Sequence, residues 1–150
     1  MKGPLRPCRR RGNAMVEFAL AASLLIPGLL GMFQFGYSFF MYNRLVAAIR
    51  QGARYASVLT YQSASSTPPA AYLTAVRNTV VYGDPAGGSE PVVPGLTTSN
   101  ISVQMTMVEG VPDMVTVSLN SFSVDAVVKT LTFTTKPEAS FRFEGRFAPP

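Results

Sequence analysis

Residues 13–43 form a hydrophobic tract in which Glu17 is the only charged residue. No charge follows between Phe18 and Asn43, and a membrane-spanning helix needs about 20 mostly apolar residues. We therefore predict a transmembrane helix whose span covers about residues 18–43. A carboxylate at the entrance to such a helix is costly without a partner, so Glu17 is also the first candidate for a functional residue.

The most economical partner for Glu17 is a new amino terminus. If the peptide bond between Gly12 and Asn13 is cut, the freed amine of Asn13 lies about one helical turn from Glu17, or close to the Glu17 of a neighbouring copy. Such a charge pair is worth on the order of 4 kcal/mol at an intermediate dielectric. Gly12 and Asn13 are thus the candidate cleavage site, and Glu17 is the residue expected to act after the cut.

Basic residues are concentrated just before the tract. The formal net charge is +5, but five of the thirteen basic residues precede Asn13: Lys2, Arg6, Arg9, Arg10 and Arg11. Their removal leaves eight basic residues against eight acidic ones, and this neutral mature chain argues against nucleic-acid binding. Lys and Arg beside a span favour the cytoplasmic side, so Arg9, Arg10 and Arg11 predict a cytoplasmic leader over residues 1–12 and an exterior location beyond about Asn43.

A helical pattern continues beyond the tract. Apolar residues recur at helical spacing over residues 44–59, while Arg50 and Arg54 lie four apart on another face. Lipid phosphates and acidic groups of another subunit are both suitable partners for these arginines, and the sequence does not choose between them. Within the tract, Pro27 removes one helical hydrogen bond and predicts a kink. We expect one long helix over residues 13–60.

Residues 61–150 are expected to form a small extracytoplasmic domain that begins with a second helix. Thr67 is a plausible cap for that helix, since Pro68 and Pro69 are tolerated in a first turn. Apolar residues then recur at helical spacing until Gly83, where the helix should end.

The second half of this domain shows strand periodicity. Alternating apolar and polar residues predict a hairpin over residues 101–119 with its turn at 109–113. A short helix or loop is expected over 124–131, and a last strand between Phe133 and Phe147. The predicted fold class is therefore α+β, with one further helix and about three antiparallel strands whose apolar faces are covered by the second helix and the end of the first.

The chain offers little for catalysis. It has no histidine, its one cysteine, Cys8, lies in the predicted leader, and its acidic residues are scattered without metal-ligand spacing. Asp84 with Glu90, or Asp113 with Asp125, are the carboxylate pairs that the sequence leaves open. We predict no enzymatic activity, no catalytic residue, no cofactor, no metal and no small-molecule substrate.

A basic run, a glycine and an apolar helix start follow one another in residues 9–20, which read Arg-Arg-Arg-Gly-Asn-Ala-Met-Val-Glu-Phe-Ala-Leu. This string resembles the processing site of type IV prepilins, and more narrowly that of the TadE-like pseudopilins of tight-adherence (Flp) pilus assembly. The resemblance continues in order through residues 35–37 and 48–56. Asn13 replaces the large apolar residue usual at the first mature position, and Phe18 replaces the tyrosine of Flp pilins, so the resemblance favours an accessory subunit.

The resemblance implies that a prepilin peptidase cuts after Gly12 and leaves Glu17 at the fifth mature position. It also implies a long amino-terminal helix followed by a small α+β head. The expected partners are the prepilin peptidase, other pilin-like subunits, the inner-membrane pilus assembly platform and the lipid bilayer. The expected location is the bacterial inner membrane, with a single pass and the head outside, and incorporation into a pilus stays open.

The alternative is an unprocessed, single-pass binding module anchored in the cell envelope, whose outer domain recognises another envelope protein or a secreted factor. Gly12 separates the two interpretations, because only the first requires a residue without a side chain at that position.

Overall fold

The structure, a computed structural model, describes residues 11–125 and 130–149. Within these ranges the helices are α1, Arg11–Val58, and α2, Ala70–Tyr82, followed by a 3₁₀ turn at Thr98–Asn100. The strands are β1, Ile101–Val108; β2, Val111–Leu119; β3, Phe122–Asp125; β4, Thr130–Phe133; and β5, Glu138–Arg142. The predicted α+β class, with a long amino-terminal helix, a second helix and a small antiparallel sheet, is confirmed.

The chain divides into two compact units between Gly36 and Tyr37. In the first unit, α1 exposes large apolar side chains such as Leu24 and Phe35, which are 81% and 80% exposed. Among the described residues, α1 is the one helix long and apolar enough to cross a membrane, and its most apolar stretch is not buried in the protein. Such a surface suits lipid better than water.

The second unit, Tyr37–Pro150, is called the head here and has its own core. Helix α1 contributes buried apolar residues on one face: Met41, Leu45, Ala48, Ile49, Ala53 and Ala56. Helix α2 and the strands β1 and β2 supply most of the remainder: Tyr72, Val76, Val80, Val81, Ile101, Val103, Met105, Val115, Val117 and Leu119. The prediction that the second helix and the end of the first cover the sheet is therefore confirmed.

Strands β1, β2 and β5 form one antiparallel sheet in that order. The β1–β2 hairpin pairs Ile101 with Leu119, as expected, but its turn is shorter than predicted. Glu109 and Gly110 both have positive φ, 52° and 80°, which is the geometry of a tight two-residue hairpin turn. Pro112 therefore belongs to β2, where the register shifts so that the next residue, Asp113, has no partner between Thr106 and Met107 of β1.

A second, two-stranded sheet pairs β3 with β4, and it was not predicted. The expected helix or loop over 124–131 is wrong in its described part, because residues 124–125 and 130–131 are paired strand residues and 126–129 lie outside the described residues. Phe133 ends β4 instead of starting the last strand, which is confined to β5. Each of these strands has only four residues, Phe-Ser-Val-Asp in β3 and Thr-Leu-Thr-Phe in β4, which is a short run for a periodic signal.

Helix α2 begins later than predicted. It starts at Ala70, and Pro69 occupies the capping position with an extended backbone and no side-chain hydrogen bond, so Thr67 is not the cap. The reason is steric: the residue before a proline avoids the helical region, which keeps Pro68 out of the first turn. At the other end, Gly83 terminates the helix in the left-handed conformation, as expected from the sequence.

The two helices approach closely at Gly52. A Cβ placed there would overlap Cγ2 of Val80, and the carbonyl oxygen of Val76 lies only 3.6 Å from that position. Val80 is fully buried, and a β-branched side chain in a helix has one strongly preferred rotamer. Only glycine at position 52 fits this contact without displacing α2.

The carboxyl end of α1 is closed by groups from distant parts of the chain. The last carbonyl groups of a helix have no partner within it. Here the carbonyl of Ala56 accepts a hydrogen bond from the Tyr72 hydroxyl at 2.6 Å, and that of Ser57 accepts one from the Glu144 N–H at 2.8 Å. The segment 143–148 thus packs along the end of α1.

We expect Gly52→Val to destabilise the head. The added side chain must displace Val80, and overpacking of this kind typically costs about 1–3 kcal/mol. The free energy of unfolding can be measured in detergent micelles by pulse proteolysis of the head across a urea series. Gly36→Val is the matched control on the same helix, because a Cβ at Gly36 has no neighbour within 4 Å. Equal stability of the two variants would contradict the close contact.

The buried tyrosines predict an alkaline loss of stability. Burial raises the pKa of Tyr72 above its ordinary value of 10.0, and the adjacent Tyr61 raises it further. The unfolded chain therefore releases this proton first, so stability is complete below pH 10 and falls as the pH rises above it. Tyr72→Phe should flatten that decline. It should also cost about 1 kcal/mol at pH 7, because the Ala56 carbonyl loses its donor.

The free energy of unfolding of Tyr72→Phe is measured from pH 7 to pH 11. Tyr82→Phe serves as the control, because Tyr82 lies outside the Tyr61–Tyr72 pair. An unchanged slope above pH 10 in Tyr72→Phe would show that the buried hydroxyl does not cause the alkaline decline.

Candidate processing and assembly site

Asn13 and Glu17 lie one turn apart near the start of α1. The Asn13 Nδ2 donates a hydrogen bond to the Glu17 Oε1 at 3.4 Å, and both side chains are exposed. A surface pair at this spacing stabilises a helix by only about 0.2–0.5 kcal/mol. The amide therefore orients the carboxylate without neutralising its charge.

Among the side chains that the structure describes, no ion pair involves Glu17. Large apolar side chains beside it, Met15, Val16, Phe18 and Leu20, are all exposed. The next charged residue in the sequence is Arg44, well beyond the predicted membrane entrance. Glu17 is thus an exposed carboxylate on an apolar stretch of helix, and the partner that the described residues give it is the Asn13 amide.

The positive end of the helix would stabilise the Glu17 carboxylate more in a cut chain than in the uncut chain. Helix α1 has no acidic residue in its first turn, and Glu17 lies beyond that turn when the helix starts at Arg11. The positive end of a helix acts mainly over its first turn. If the chain began at Asn13, Glu17 would lie one turn from the end and would gain from that positive potential.

The other predicted determinants are only partly described. Arg11 and Gly12 are the first residues of α1, whereas Arg9 and Arg10 lie outside the described residues. Pro27 lies inside α1, which continues through it, so the kink stays a prediction. The structure thus brings Asn13 and Glu17 together and leaves the cleavage itself untested.

Arg50 and Arg54 lie on the exposed side of α1 within the head. The side-chain ion pairs seen among the described residues join Lys136 to Glu138 and Arg142 to Asp113, at 3.6 and 3.8 Å. Neither involves Arg50 or Arg54. Lipid phosphates and the acidic groups of another subunit both stay open as partners.

Two of the carboxylates considered for catalysis, Asp84 and Asp113, have structural roles. Asp113 pairs with Arg142, and Asp84 accepts a hydrogen bond from the Ala86 N–H at 2.8 Å in the turn after α2. In the part of the chain that the structure describes, no group of three or more acidic, histidine or cysteine side chains could hold a metal ion. These carboxylates support turns and strand pairing.

Sequence reasoning missed two glycines on which packing depends. Gly52 allows the contact with α2, and Gly145 allows the final segment to reach α1, where a Cβ would overlap the carbonyl oxygen of Leu59. An isolated glycine within a helical pattern is the signal that marks Gly52. No comparable signal marks Gly145, because its neighbour is distant in sequence.

Residues 12–54 match the model of the TadE-like protein family. The match starts at Gly12 and includes Asn13, Glu17 and the helix as far as Arg54, which confirms the resemblance inferred from the sequence. Comparisons with curated proteins and with solved structures gave no match.

Proposed function

Because residues 12–54 form a TadE-like domain, we propose that this chain is an accessory pseudopilin of tight-adherence (Flp) pilus assembly. A prepilin peptidase cuts it between Gly12 and Asn13, and the mature protein takes part in building the pilus used in surface adherence. The observation that carries the proposal is the lone Glu17 carboxylate, held by Asn13 on an otherwise apolar and exposed helix.

In this proposal the bond before Asn13 is hydrolysed at the cytoplasmic face of the membrane. Water adds across the peptide bond, so Gly12 leaves as a carboxylate on the leader and Asn13 keeps a protonated amine. Gly12 matters because a side chain there would obstruct the peptidase cleft. Arg9, Arg10 and Arg11 hold the leader in the cytoplasm, since basic residues next to a span favour that side.

After cleavage, Glu17 neutralises a terminal amine within the apolar layer. The hydrogen bond from Asn13 already aims the carboxylate toward the first mature residue. The amine of the same chain or that of a neighbouring copy then provides the charge that the Asn13 amide lacks. Such a pair stabilises assembly because an unpaired charge in lipid is costly.

The head lies outside the inner membrane in this proposal. Its partners are other pilin-like subunits and the inner-membrane assembly platform, and Arg50 and Arg54 present an exposed basic surface on α1 for such contacts. The competing interpretation, an unprocessed anchored binding module of the envelope, predicts no role for Gly12 or Glu17.

We expect Gly12→Val to block maturation. Intact-mass measurement of the protein from membranes containing an active prepilin peptidase should show a chain starting at Asn13 for the parent and an uncut chain for the variant. Gly28→Val is the control, because it places the same side chain at another open position of the helix. If the parent chain also keeps its leader in those membranes, the pseudopilin proposal fails and the anchored module is favoured.

We expect Glu17→Gln to be inserted and cut but to fail in assembly. Glutamine keeps the size of the side chain and a hydrogen-bond acceptor for Asn13, yet it carries no charge to pair with the amine. An interaction worth a few kcal/mol is lost, and since about 1.4 kcal/mol corresponds to a factor of 10 in an equilibrium, assembly should fall at least about tenfold. Pili and surface adherence are counted, with intact mass as the check on cleavage.

Normal piliation in Glu17→Gln would refute the role of the charge. The variant Glu17→Asp keeps the charge on a shorter side chain and should retain more assembly than Glu17→Gln.

A further inference from the structure

Strand β5 forms one outer edge of the three-stranded sheet in the head, with β2 on its inner side. Two backbone hydrogen bonds at its ends show how its residues alternate. The Pro137 carbonyl accepts from the Leu119 N–H at 3.2 Å, and the Phe143 N–H donates to the Asp113 carbonyl at 2.8 Å. In an antiparallel pair these bonds recur at every second residue, so the odd-numbered residues of β5 direct their backbone groups toward β2.

The even-numbered residues of β5 direct their backbone groups toward the outer edge: Glu138, Ser140 and Arg142. Glu144, the next even-numbered residue, follows the same alternation, because its N–H leaves the sheet and binds the Ser57 carbonyl of α1 at 2.8 Å. Among the described residues, no backbone hydrogen bond occupies the outward groups of β5. A row of such groups is a template on which another strand can pair.

The opposite edge of the sheet, β1, is less open. The Arg77 Nε donates a hydrogen bond to the Ile101 carbonyl at 3.1 Å, so a side chain of α2 occupies the edge where β1 begins. Of the two edges, β5 is therefore the one that offers its whole length to a partner.

Space for such a partner exists beside β5. A cleft of about 440 Å³ lies between this edge and the end of α1, and it is lined by Arg54, Ser57, Val58, Phe141, Arg142 and Glu144. Val58 is 58% and Phe141 37% exposed at this cleft. An added strand would cover apolar surface that the head leaves in water.

The charges around β5 are self-complementary. Four charged residues are placed symmetrically about Ser140: Lys136, Glu138, Arg142 and Glu144. If two copies of β5 pair in antiparallel about Ser140, Glu138 of each copy lies opposite Arg142 of the other, and Lys136 is brought toward Glu144. Opposite charges stabilise cross-strand pairs. Charges on an edge strand usually oppose its pairing with another chain, but this arrangement favours a second copy.

The backbone fits the same register. The outward residues of one copy lie opposite the outward residues of the other, so their N–H and C=O groups bind each other along the whole strand. Ala139 lies opposite Phe141 of the second copy, which places a small side chain beside a large one. A shift of two residues in either direction sets Ser140 against a charged residue and brings like charges together.

We propose that the head self-associates through β5, with two copies paired in antiparallel about Ser140 so that their three-stranded sheets become one. Such an interface is isologous, because the same patch serves both copies. The present ion pairs, Lys136 with Glu138 and Arg142 with Asp113, are exposed and 3.6 and 3.8 Å long. Contacts of this kind are weak, so they leave Glu138 and Arg142 available to a second copy.

This pairing uses residues outside the family match at 12–54 and needs no cut after Gly12. It goes beyond the proposed function, and it can be tested in the uncut chain, so the failure of one proposal is distinguishable from the failure of the other.

Disulfide formation in the full chain tests the register. Cys8→Ser removes the one native cysteine, and Ser140→Cys then places a single thiol of each copy at the symmetry axis. Opposed residues in a hydrogen-bonded antiparallel pair have Cα atoms about 5.5 Å apart, within the range of about 4.4–6.8 Å for a disulfide. The protein is reconstituted in phosphatidylcholine vesicles with lipid in excess and mildly oxidised, and a covalent dimer is the expected product.

Gln104→Cys in the same Cys8→Ser background is the matched control. The register places Gln104 opposite Thr116, and Thr116 opposite Ser140, so Gln104 lies in the same row at the other edge of the sheet. This variant should form little dimer. Equal yields from the two thiols, or no dimer from Ser140→Cys while its head resists proteolysis as the parent does, would overturn the proposal.

Exchange of charges tests the pairing itself. In the Ser140→Cys protein, Arg142→Glu sets like charges against each other at both ends of the pair and should slow dimer formation about fivefold or more. Adding Glu138→Arg restores opposite charges between copies, although both ion pairs within each copy are then lost. Recovery of the dimer therefore reports on the contact between copies. A doubly exchanged protein that dimerises as slowly as Arg142→Glu would refute this register.

Discussion

The contact between α1 and α2 at Gly52 is the one on which the rest of the head depends. Small residues recur at Ala48, Gly52 and Ala56 along the buried face of α1, and Val80 of α2 packs directly on Gly52. This short separation brings the Tyr72 hydroxyl within 2.6 Å of the Ala56 carbonyl. A side chain at position 52 would separate the helices and disturb that hydrogen bond together with the packing of the sheet on both helices.

The same dependence extends from the helix to the last residues of the chain. Tyr61 donates its N–H to the Arg146 carbonyl at 2.8 Å and accepts from the Ala148 N–H at 3.0 Å, while the Glu144 N–H binds Ser57. Gly145 makes this approach feasible. The TadE-like domain at residues 12–54 is therefore not self-sufficient, because α1 continues beyond it to Val58 and is closed by groups from α2 and the final segment. Residues outside the family match therefore hold the last turn of α1 in place.

Local signals explain what could be predicted. Apolar composition marks α1, Gly83 marks the end of α2, and strict alternation marks the two strands of the β1–β2 hairpin. The β3–β4 pair was missed because its strands are only four residues long, and alternation over so short a run is a weak signal until the two strands pair. The start of α2 was placed too early because backbone sterics at Pro68–Pro69 outweigh the capping tendency of Thr67.

At the site, the proximity of Asn13 and Glu17 could be predicted because residues i and i+4 share a helix face. The role of Gly145 could not, because it depends on a tertiary contact.

Hydropathy alone could not divide α1 between its two environments. Up to Gly36 the helix is apolar and exposed, whereas from Tyr37 onward it buries one face against the head, and both arrangements require apolar residues. The charges separate the two parts more clearly. Within the head, carboxylates such as Asp113 and Glu138 meet a basic side chain, whereas among the described side chains Glu17 contacts the Asn13 amide and no cation. An unmatched charge costs far more in lipid than in water. Glu17 therefore stands apart from the carboxylates of the head, and the proposed cleavage would give it the terminal amine of its own chain or of a neighbouring copy as a partner.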